Sequence, residues 1–470
     1  MKRSIYLSFM VFVSGLMNLA NAQSNTGTEQ SEKVKLLTEA YLYGYPVLTM
    51  AETFRSVTNT ELPDPIKGKS PVNQAATLYP FPKAGFTAVV RPNLDTYYNM
   101  VYANLENGPL YIHLPATKRY YLIPILNAYG DVVQSLGSRT TGQDDLDIVL
   151  VGPDFNGELP KDLLVIRSNT NLNWMLGRVQ VDNDKDGKSE VKNFYNEMIV
   201  RPLAERGNSK YKAPKGTYKP ANEVVPMKAV DDLEITAFYN KMMELLLTNP
   251  PQEADKAFIE KLAEVGITPG GNFDITAFTS EEQKAIKAIP SNVQKLFAHL
   301  TAHPDKNLVQ NGWFVVTKGL GEYGTNYALR AYVTKIGFGA NTAEDAIYPN
   351  AAIDVEGNKF NGSNQYILHF DADKLPPVKG FWSITMYNKE GFLVDNTIDR
   401  YNLSNKKELQ YNEDGSLDIY IQATAPEGME SNWLPSTTAG VEFELTFRMY
   451  WPSEAILNRT WVMPGVKKVN

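Results

Sequence analysis

A short segment near residue 91 collects polar side chains of complementary chemistry. If the segment is extended, alternate residues share a face, which groups Arg91, Asn93, Asp95 and Tyr97. A guanidinium, an amide, a carboxylate and a phenol together can hold a carboxylate or carbonyl substrate. The pattern therefore predicts Asp95 as base or orienter, Arg91 as anion clamp and Tyr97 as a third catalytic residue, with Asn93 in binding. The alternative is a structural network in which Arg91 pairs with Asp95.

Other candidate binding residues lie beside turn-rich sequence or in alternating strands. The chain has 26 tyrosines and six tryptophans, which can line a pocket for a small molecule or glycan or fill the core of a sheet. In one β-rich run, His369 precedes Asp371 by two residues, so the two share a face and either a buried structural role or proton transfer fits. The predicted binding residues are Asn93, Arg139, His369, Trp382, Tyr387, Trp433 and Arg448.

Metal-binding patterns are incomplete in this sequence. His299 and His303 have the i, i+4 spacing of zinc ligands on a helix, but Leu300 stands where a zinc protease carries its glutamate. Residues 182 to 187 begin like a calcium loop, whereas position 193 is asparagine where an EF-hand has glutamate. We therefore predict no cofactor and leave calcium at this loop open.

Signatures of several enzyme classes are absent from the sequence. There is no cysteine, no Gly-x-Ser-x-Gly string and no phosphate-binding loop. If the protein is an enzyme, the remaining polar candidates favour a cofactor-free hydrolase of a small organic amide or ester. A non-catalytic binding protein for a small molecule or glycan is the alternative.

The N-terminus has the pattern of an export signal. Lys2 and Arg3 precede an apolar run over residues 5 to 19, and Ala20, Asn21 and Ala22 form a cleavage pattern. This predicts a signal peptide over residues 1 to 22, a periplasmic or secreted mature protein and no membrane span after cleavage. The net charge of −7 and the absence of Lys/Arg clusters argue against nucleic acid as a partner.

Along the rest of the 470-residue chain, the spacing of apolar residues alternates between helical and strand-like. Helical spacing over residues 31 to 57, interrupted by Gly44 and Pro46, predicts a bent or broken helix. Strand-like runs fill residues 86 to 167 and return after residue 348. Between them, Ser280 with Gln283 and Ser291 with Gln294 each match a capping box and predict two helix starts.

These patterns predict a mainly β fold with a helical connector, α+β overall. We expect an N-terminal helical arm over residues 23 to 61 and a β-sandwich domain over 62 to 207. A linker and helical connector follow over 208 to 335, and a jelly-roll-like β-sandwich domain occupies 336 to 470. In residues 441 to 451 the apolar residues alternate with polar ones, which predicts a half-buried strand.

Several phrases of the sequence resemble a bacterial tandem-domain family. The N-terminal phrases are Arg91-Pro92-Asn93-Leu94-Asp95-Thr96-Tyr97-Tyr98, Arg119-Tyr120-Tyr121-Leu122, Arg139-Thr140-Thr141-Gly142 and Leu176-Gly177-Arg178. The C-terminal phrases are Ala346-Ile347-Tyr348-Pro349, Pro376-Pro377-Val378, Phe381-Trp382-Ser383-Ile384-Thr385-Met386-Tyr387, Asn432-Trp433-Leu434-Pro435 and Arg448-Met449-Tyr450-Trp451-Pro452. They resemble domain of unknown function 1254 followed by domain of unknown function 1214. The resemblance implies two β domains joined through helices, and no general reaction.

Overall fold

The computed structural model describes residues 31–87, 89–182 and 185–469 of the chain. The predicted signal peptide lies outside the described residues. Within them the fold is β-rich α+β, as predicted, with two β regions and helices before and between them. None of the described helices combines the length and the apolarity needed to cross a bilayer.

The first helix is the centre of a helical region. Helix α1 (Glu32–Val57) packs against helices from the middle of the chain and buries 17 of its 26 residues. It stays a single helix through Gly44 and Pro46, so, of the predicted bend or break, the break does not occur. Because α1 is surrounded by apolar side chains, its packing outweighs the hydrogen bond that proline removes.

The N-terminal β region contains two sheets. Its strands are β1 (Ala75–Leu78), β2 (Thr96–Asn104), β3 (Leu110–Leu114), β4 (Tyr121–Asn127), β5 (Val132–Gly137), β6 (Leu146–Val151), β7 (Leu164–Arg167), β8 (Leu172–Gln180) and β9 (Ile199–Pro202), with helix α2 (Lys185–Glu197) before β9. The strand orders are β1-β2-β8-β4-β5 and β7-β6-β3-β9. Both sheets contribute to one core, for example through Val101, Ile112, Ile123 and Ile148.

Five helices connect the two β regions. They are α3 (Pro226–Asp231), α4 (Ile235–Thr248), α5 (Lys256–Leu262), α6 (Ser280–Ala302) and α7 (Tyr327–Gly337), and strands β10 (Val309–Gln310) and β11 (Trp313–Phe314) precede α7. Their apolar faces bury residues such as Phe238, Met242, Ile286 and Phe297 against α1. The predicted helical connector is therefore present.

The C-terminal β region also contains two sheets. Its strands are β12 (Ala346–Ile347), β13 (Asn350–Ala351), β14 (Gln365–Phe370), β15 (Trp382–Asn388), β16 (Asn402–Ser404), β17 (Leu417–Gln422), β18 (Trp433–Pro435), β19 (Phe443–Tyr450) and β20 (Val466–Val469), with helix α8 (Glu454–Leu457) before β20. The larger sheet has the order β10-β11-β13-β19-β15-β16, with β12 also paired to β19, and the smaller has the order β18-β17-β14-β20. The jelly-roll-like topology stays a prediction.

Strand β19 shows how the two β regions meet. Its apolar residues, among them Leu445 and Phe447, enter the C-terminal core as the alternation predicts. Its opposite face is polar, yet Arg448 is 4% exposed and Tyr450 is fully buried, so the predicted half-buried strand is buried on both faces. The polar side of this sheet packs against the N-terminal region. We call it the interdomain face, and it consists of Ser383, Thr385, Tyr387, Asn402, Ser404, Thr446, Arg448 and Tyr450.

The start of helix α6 differs from the sequence prediction. Thr279 is the N-cap, and its hydroxyl accepts from the Glu282 N–H while the Glu282 carboxylate accepts from the Thr279 N–H. Ser291 lies inside the same helix and donates to the Ala288 carbonyl, so neither predicted capping box exists. Ser280 and Ser291 have the same capping-box spacing as Thr279, and only the tertiary structure selects Thr279 as the N-cap.

We predict that Thr279→Ala destabilises the protein by about 1 kcal/mol, because it removes the side-chain acceptor of the capping box. Urea unfolding followed by circular dichroism measures the change. Ser280→Ala is the matched control: Ser280 is exposed within the first turn, and we expect a change within about 0.5 kcal/mol. Equal losses in the two variants would contradict the assigned cap.

Candidate functional site

The segment before β2 is a turn rather than an extended strand. The Asn93 carboxamide oxygen accepts from the N–H groups of Asp95 at 2.7 Å and Thr96 at 3.2 Å, and β2 begins only at Thr96. Alternation therefore does not run from Arg91 to Tyr97. Tyr97 points into the N-terminal core, where its ring centroid lies 4.7 Å from that of Phe81. The predicted shared face of Arg91, Asn93, Asp95 and Tyr97 is wrong.

Asp95 is buried against the interdomain face. One carboxylate oxygen accepts from the Ser383 hydroxyl at 2.6 Å and from the Tyr450 hydroxyl at 3.2 Å, and the other accepts from the Asn402 amide at 2.8 Å. Asp95 is 4% exposed and Ser383 is fully buried. These contacts join one residue of the N-terminal region to three strands of the C-terminal sheet.

Arg91 contacts the same face at a different place. Its guanidinium forms an ion pair with Glu444 and donates to the side chains of Asn350 and Thr446 at 3.3 Å. Its backbone φ of 49° is left-handed, and its N–H donates to the Gly391 carbonyl at 2.7 Å. The predicted alternative named the wrong partner, because Arg91 pairs with Glu444 and not with Asp95. Both residues nevertheless take part in a structural network.

Arg448 and Tyr387 belong to this network, as two of the predicted binding residues. Arg448 donates to the Thr385 hydroxyl and to the Tyr387 hydroxyl, each at 2.7 Å, and to the Arg91 carbonyl at 3.2 Å. Tyr387 in turn donates to the Pro92 carbonyl at 2.7 Å. The interdomain face thus fixes the backbone of residues 91 and 92 as well as the Asp95 side chain.

A second buried guanidinium belongs to Arg178 of β8, which shares the Tyr98 hydroxyl with Asn93. Its Nε donates to the Tyr98 hydroxyl at 3.2 Å, and its guanidinium carbon is 5.1 Å from the centroid of the Tyr98 ring. The Asn93 amide donates to the same hydroxyl at 3.3 Å and to Tyr450 at 2.9 Å. Tyr98 therefore accepts two hydrogen bonds, and no acceptor for its proton is found among the described residues. The ring centroid of Tyr348 lies 6.2 Å from that of Tyr450. We call Asn93, Tyr98, Arg178, Tyr348 and Tyr450 the tyrosine cluster.

Electrostatics distinguishes Tyr98 from the tyrosines around it. Burial raises the pKa of Tyr348 to about 12, and burial together with Asp95 raises the pKa of Tyr450 well above its usual value. Burial also disfavours the Tyr98 phenolate, but the charge and the hydrogen bond of Arg178, with the Asn93 amide, outweigh it and lower the pKa of Tyr98. Among the tyrosines of the cluster, Tyr98 is therefore the one that loses its proton most easily.

A small cleft lies beside Asp95, on the side of strand β16. The cleft is narrow, with room for little more than a water-sized group, and it opens to solvent. The Lys407 amine lies there and donates to the carbonyl and the side-chain oxygen of Asn402 at 2.7 and 2.9 Å. Burial lowers the pKa of Lys407 to about 8, although Asp95 acts in the opposite direction.

The remaining predicted binding residues do not join the site around Asp95. Arg139 donates to the buried carboxylate of Asp345 at 2.6 Å, a separate contact between the two β regions. Trp382 stacks on Phe447 in the C-terminal core, with ring centroids 5.2 Å apart. Trp433 is half-buried, and its indole N–H donates to the Gln422 carbonyl at 2.8 Å.

His369 lies on the outer face of the smaller C-terminal sheet. One ring nitrogen is 2.7 Å from Asp418, and the other is 3.2 Å from Asp371, so the predicted pairing with Asp371 is present. The hydrogen bond with Asp418 raises the pKa of His369. The side chain is 42% exposed, so it is not the buried histidine that was the alternative. It forms no contact with the tyrosine cluster.

Metal sites receive no support from the described part of the chain, where no group of three or more potential ligands converges. His299 and His303 stack on each other, and the His303 ring nitrogen lies 3.0 Å from the His299 carbonyl. In the calcium-like loop, Asp182 binds Arg119 at 2.9 Å. Asp184 and the side chain of Asp186 lie outside the described residues.

The comparisons with known proteins assign the two β regions. The family described as Protein of unknown function (DUF1254) matches residues 72–202, which hold β1 to β9, and Protein of unknown function (DUF1214) matches residues 345–454, which hold β12 to β19. The chain belongs to this tandem family. The predicted order of the two domains is confirmed, and the tyrosine cluster forms where they meet.

One solved structure supports the fold. The VPA0106 protein from Vibrio parahaemolyticus is 22% identical, with a TM-score of 0.70 over 93% of this chain and 100% of that chain. An uncharacterized protein from Burkholderia cenocepacia is 13% identical over 98% of this chain and 96% of that chain, with a TM-score of 0.43. A search of curated proteins finds no match. The first likeness supports the architecture of the tandem family and says nothing about activity.

Sequence reasoning missed several residues of the site: Tyr98, Arg178, Ser383, Asn402, Lys407 and Tyr450. For Arg178 a signal was available, because an arginine within the apolar strand β8 requires a buried partner. For Asn402 and Lys407 no local signal exists, since their role depends on Asp95, about 300 residues earlier in the chain.

We predict that Asp95→Asn destabilises the protein by about 2 to 3 kcal/mol, because an amide cannot accept from all three donors and leaves at least one of them unpaired. Urea unfolding measures the loss. Asp144→Asn, at an exposed aspartate, is the control and should change stability by less than about 0.5 kcal/mol. If Asp95→Asn unfolds like this control, the carboxylate does not hold the two domains together.

Proposed function

We propose that the protein is an exported hydrolase that cleaves an amide or ester bond of a small organic molecule at the tyrosine cluster. Tyr98 is the base that activates water, and Arg178 stabilises its phenolate form. The observation that carries the proposal is the Tyr98 hydroxyl, which accepts hydrogen bonds from Arg178 and Asn93 and lacks an acceptor for its own proton in the described chain.

Charge supports a phenolate at this position. Arg178 is 6% exposed, forms no ion pair with a described residue, and leaves one buried NH1 group without a hydrogen-bond partner. A buried cation that lacks a carboxylate partner is costly unless an anion forms nearby. The Tyr98 hydroxyl is the group in contact with Arg178 that can supply this negative charge by losing its proton.

Burial distinguishes the roles of Tyr98 and Arg178. Tyr98 and Asn93 are half-buried, whereas Arg178 and Tyr450 are buried. Because NH1 of Arg178 is inaccessible, Arg178 acts through Tyr98 and is a positioning residue. Arg91, whose side chain is 36% exposed, is more accessible than Arg178, and to hold an anionic or carbonyl group of a substrate it exchanges its ion pair with Glu444 for that group.

The proposed reaction conserves its protons. The Tyr98 phenolate takes a proton from water as the water oxygen attacks the carbonyl carbon, and the carbonyl electrons move to oxygen. When the tetrahedral intermediate collapses, the bond to the amine or alcohol breaks, and Tyr98 returns its proton to the leaving group. The products are a carboxylic acid and an amine or an alcohol, and Tyr98 is regenerated as phenolate.

A binding protein for a small anion is the second candidate. Neither Arg178 nor Arg448 forms an ion pair with a described carboxylate, so the interface between the domains has unpaired buried positive charge. A carboxylate ligand would complement this charge as a phenolate does. Tight binding of a small carboxylate without turnover would favour this function over hydrolysis.

We predict that Tyr98→Phe lowers kcat/KM by about 10² to 10⁴, the usual contribution of a general base. The assay is release of nitrophenol or nitroaniline from a panel of 4-nitrophenyl esters and 4-nitroanilides. In the unmodified protein, the rate should rise as pH increases through the pKa of Tyr98, with a midpoint below about 10, the usual value for tyrosine.

Tyr97→Phe is the matched control for this test, because the Tyr97 hydroxyl makes no hydrogen bond within the described residues and its ring lies in the core. If Tyr97 carried the chemistry, as the sequence predicted, the two effects would be exchanged. Circular dichroism establishes that both variants are folded. Carbon NMR of tyrosine-labelled protein adds a test without variants: failure to find a tyrosine that ionises below its usual pKa would count against the base.

Export is the second part of the proposal, and it is supported by the basic start, the apolar run and the Ala-x-Ala pattern of residues 1 to 22. We predict cleavage after Ala22, so that the mature protein begins at Gln23. Intact-mass measurement on protein from its native host gives the N-terminus directly. A mass that includes Met1 would contradict export by cleavage.

A further inference from the structure

The cleft beside Asp95 contains an amine in an unusual setting. Lys407 is half-buried, and both of its hydrogen bonds go to one residue, Asn402. No described carboxylate forms an ion pair with it. The nearest acidic group in the network is Asp95, which reaches Lys407 only through the Asn402 amide at 2.8 Å. The residues that line the cleft are Leu94, Asp95, Gln180, Val181, Asp182, Phe381, Asn402, Ser404, Lys406 and Lys407.

The setting favours the uncharged form of the amine. An ammonium group that is removed from water without an ion pair loses hydration and gains little in return. Neutral oxygen acceptors replace only part of that hydration, and the positive charge of Arg400 also opposes protonation. An uncharged lysine amine is a nucleophile toward carbonyl carbon.

We propose that Lys407 is a covalent binding site for small aldehydes, with which its amine forms an imine. The narrow cleft restricts the ligand to a very small molecule that reaches the amine from solvent, and the buried side chains of Leu94 and Phe381 form the apolar part of the cleft wall. Asn402 holds the amine in place and is a positioning residue. This site is separate from the tyrosine cluster and does not rest on the proposed hydrolase.

The reaction balances without a cofactor. The nitrogen lone pair attacks the carbonyl carbon and the carbonyl oxygen takes a proton, which gives a carbinolamine. Loss of water then forms the C=N bond, so one aldehyde is bound for each water released. The reaction is reversible, and reduction by an added hydride donor converts the imine to a stable secondary amine.

The test uses the unmodified full chain with limiting acetaldehyde and sodium cyanoborohydride at pH 7. At that pH an amine of pKa about 8 is about 10% uncharged, against about 0.04% for an ordinary lysine side chain. Because the cleft also slows access, we expect Lys407 to acquire an ethyl group at least about tenfold faster than Lys406. Fragment-ion mass spectrometry distinguishes the two positions.

Lys406 is a matched internal control, since it is the adjacent residue, lines the same cleft and is exposed. The preference should disappear in denaturant, where both amines are hydrated. Labelling of Lys407 at or below the rate of Lys406 in the folded protein would overturn the proposal, and so would a preference that persists after unfolding.

A pair of variants provides the second test. Lys407→Arg should abolish the fast incorporation of one ethyl group, whereas Lys406→Arg should retain it; fast incorporation in both variants would overturn the assignment. Tyr98→Phe should label like the unmodified protein. Loss of ester turnover and loss of labelling are therefore separate readouts, and either proposal can fail while the other survives.

Discussion

The buried carboxylate of Asp95 is the interaction on which the meeting of the two domains depends. A charge removed from water needs several hydrogen bonds to compensate its lost hydration. Asp95 receives them from Ser383 on β15, Asn402 on β16 and Tyr450 on β19. Because the three donors lie on neighbouring strands of one sheet, the segment that carries Asp95 can satisfy them in one position only.

The same constraint places the two reactive groups of the molecule. On one side of Asp95, Tyr450 connects through Asn93 to Tyr98, and on the other side Asn402 connects to Lys407. The two groups differ in the charge of the residues that surround them. Tyr98 lies against a cation, which lowers the pKa of its hydroxyl, whereas Lys407 lacks an anionic contact, so burial lowers the pKa of its amine. For Tyr98 the charge of Arg178 outweighs burial, and for Lys407 burial is itself the main cause.

Much of the fold was accessible from local patterns. Alternation in residues 441 to 451 assigned the core face of β19 correctly. The errors occurred where more than one local solution satisfied the pattern. Ser280, Ser291 and Thr279 all have capping-box spacing, and only Thr279 is the cap. Pro46 predicts a break, but surrounding apolar contacts maintain the helix.

The sequence by itself determined the two β regions, their helical connector and the membership of the tandem family, because hydrophobic period and local phrases are properties of neighbouring residues. It also indicated residues 91 to 95 as chemically special. Only the tertiary structure decided which side chains act together there. Asn93 turns the chain, so Tyr98 and not Tyr97 joins the site, and the polar face of β19 meets the other domain instead of water. Partners such as Arg178 and Lys407 come from distant parts of the chain. Their position beside the buried groups depends on hydrogen-bond geometry in the folded protein, which no local sequence pattern encodes.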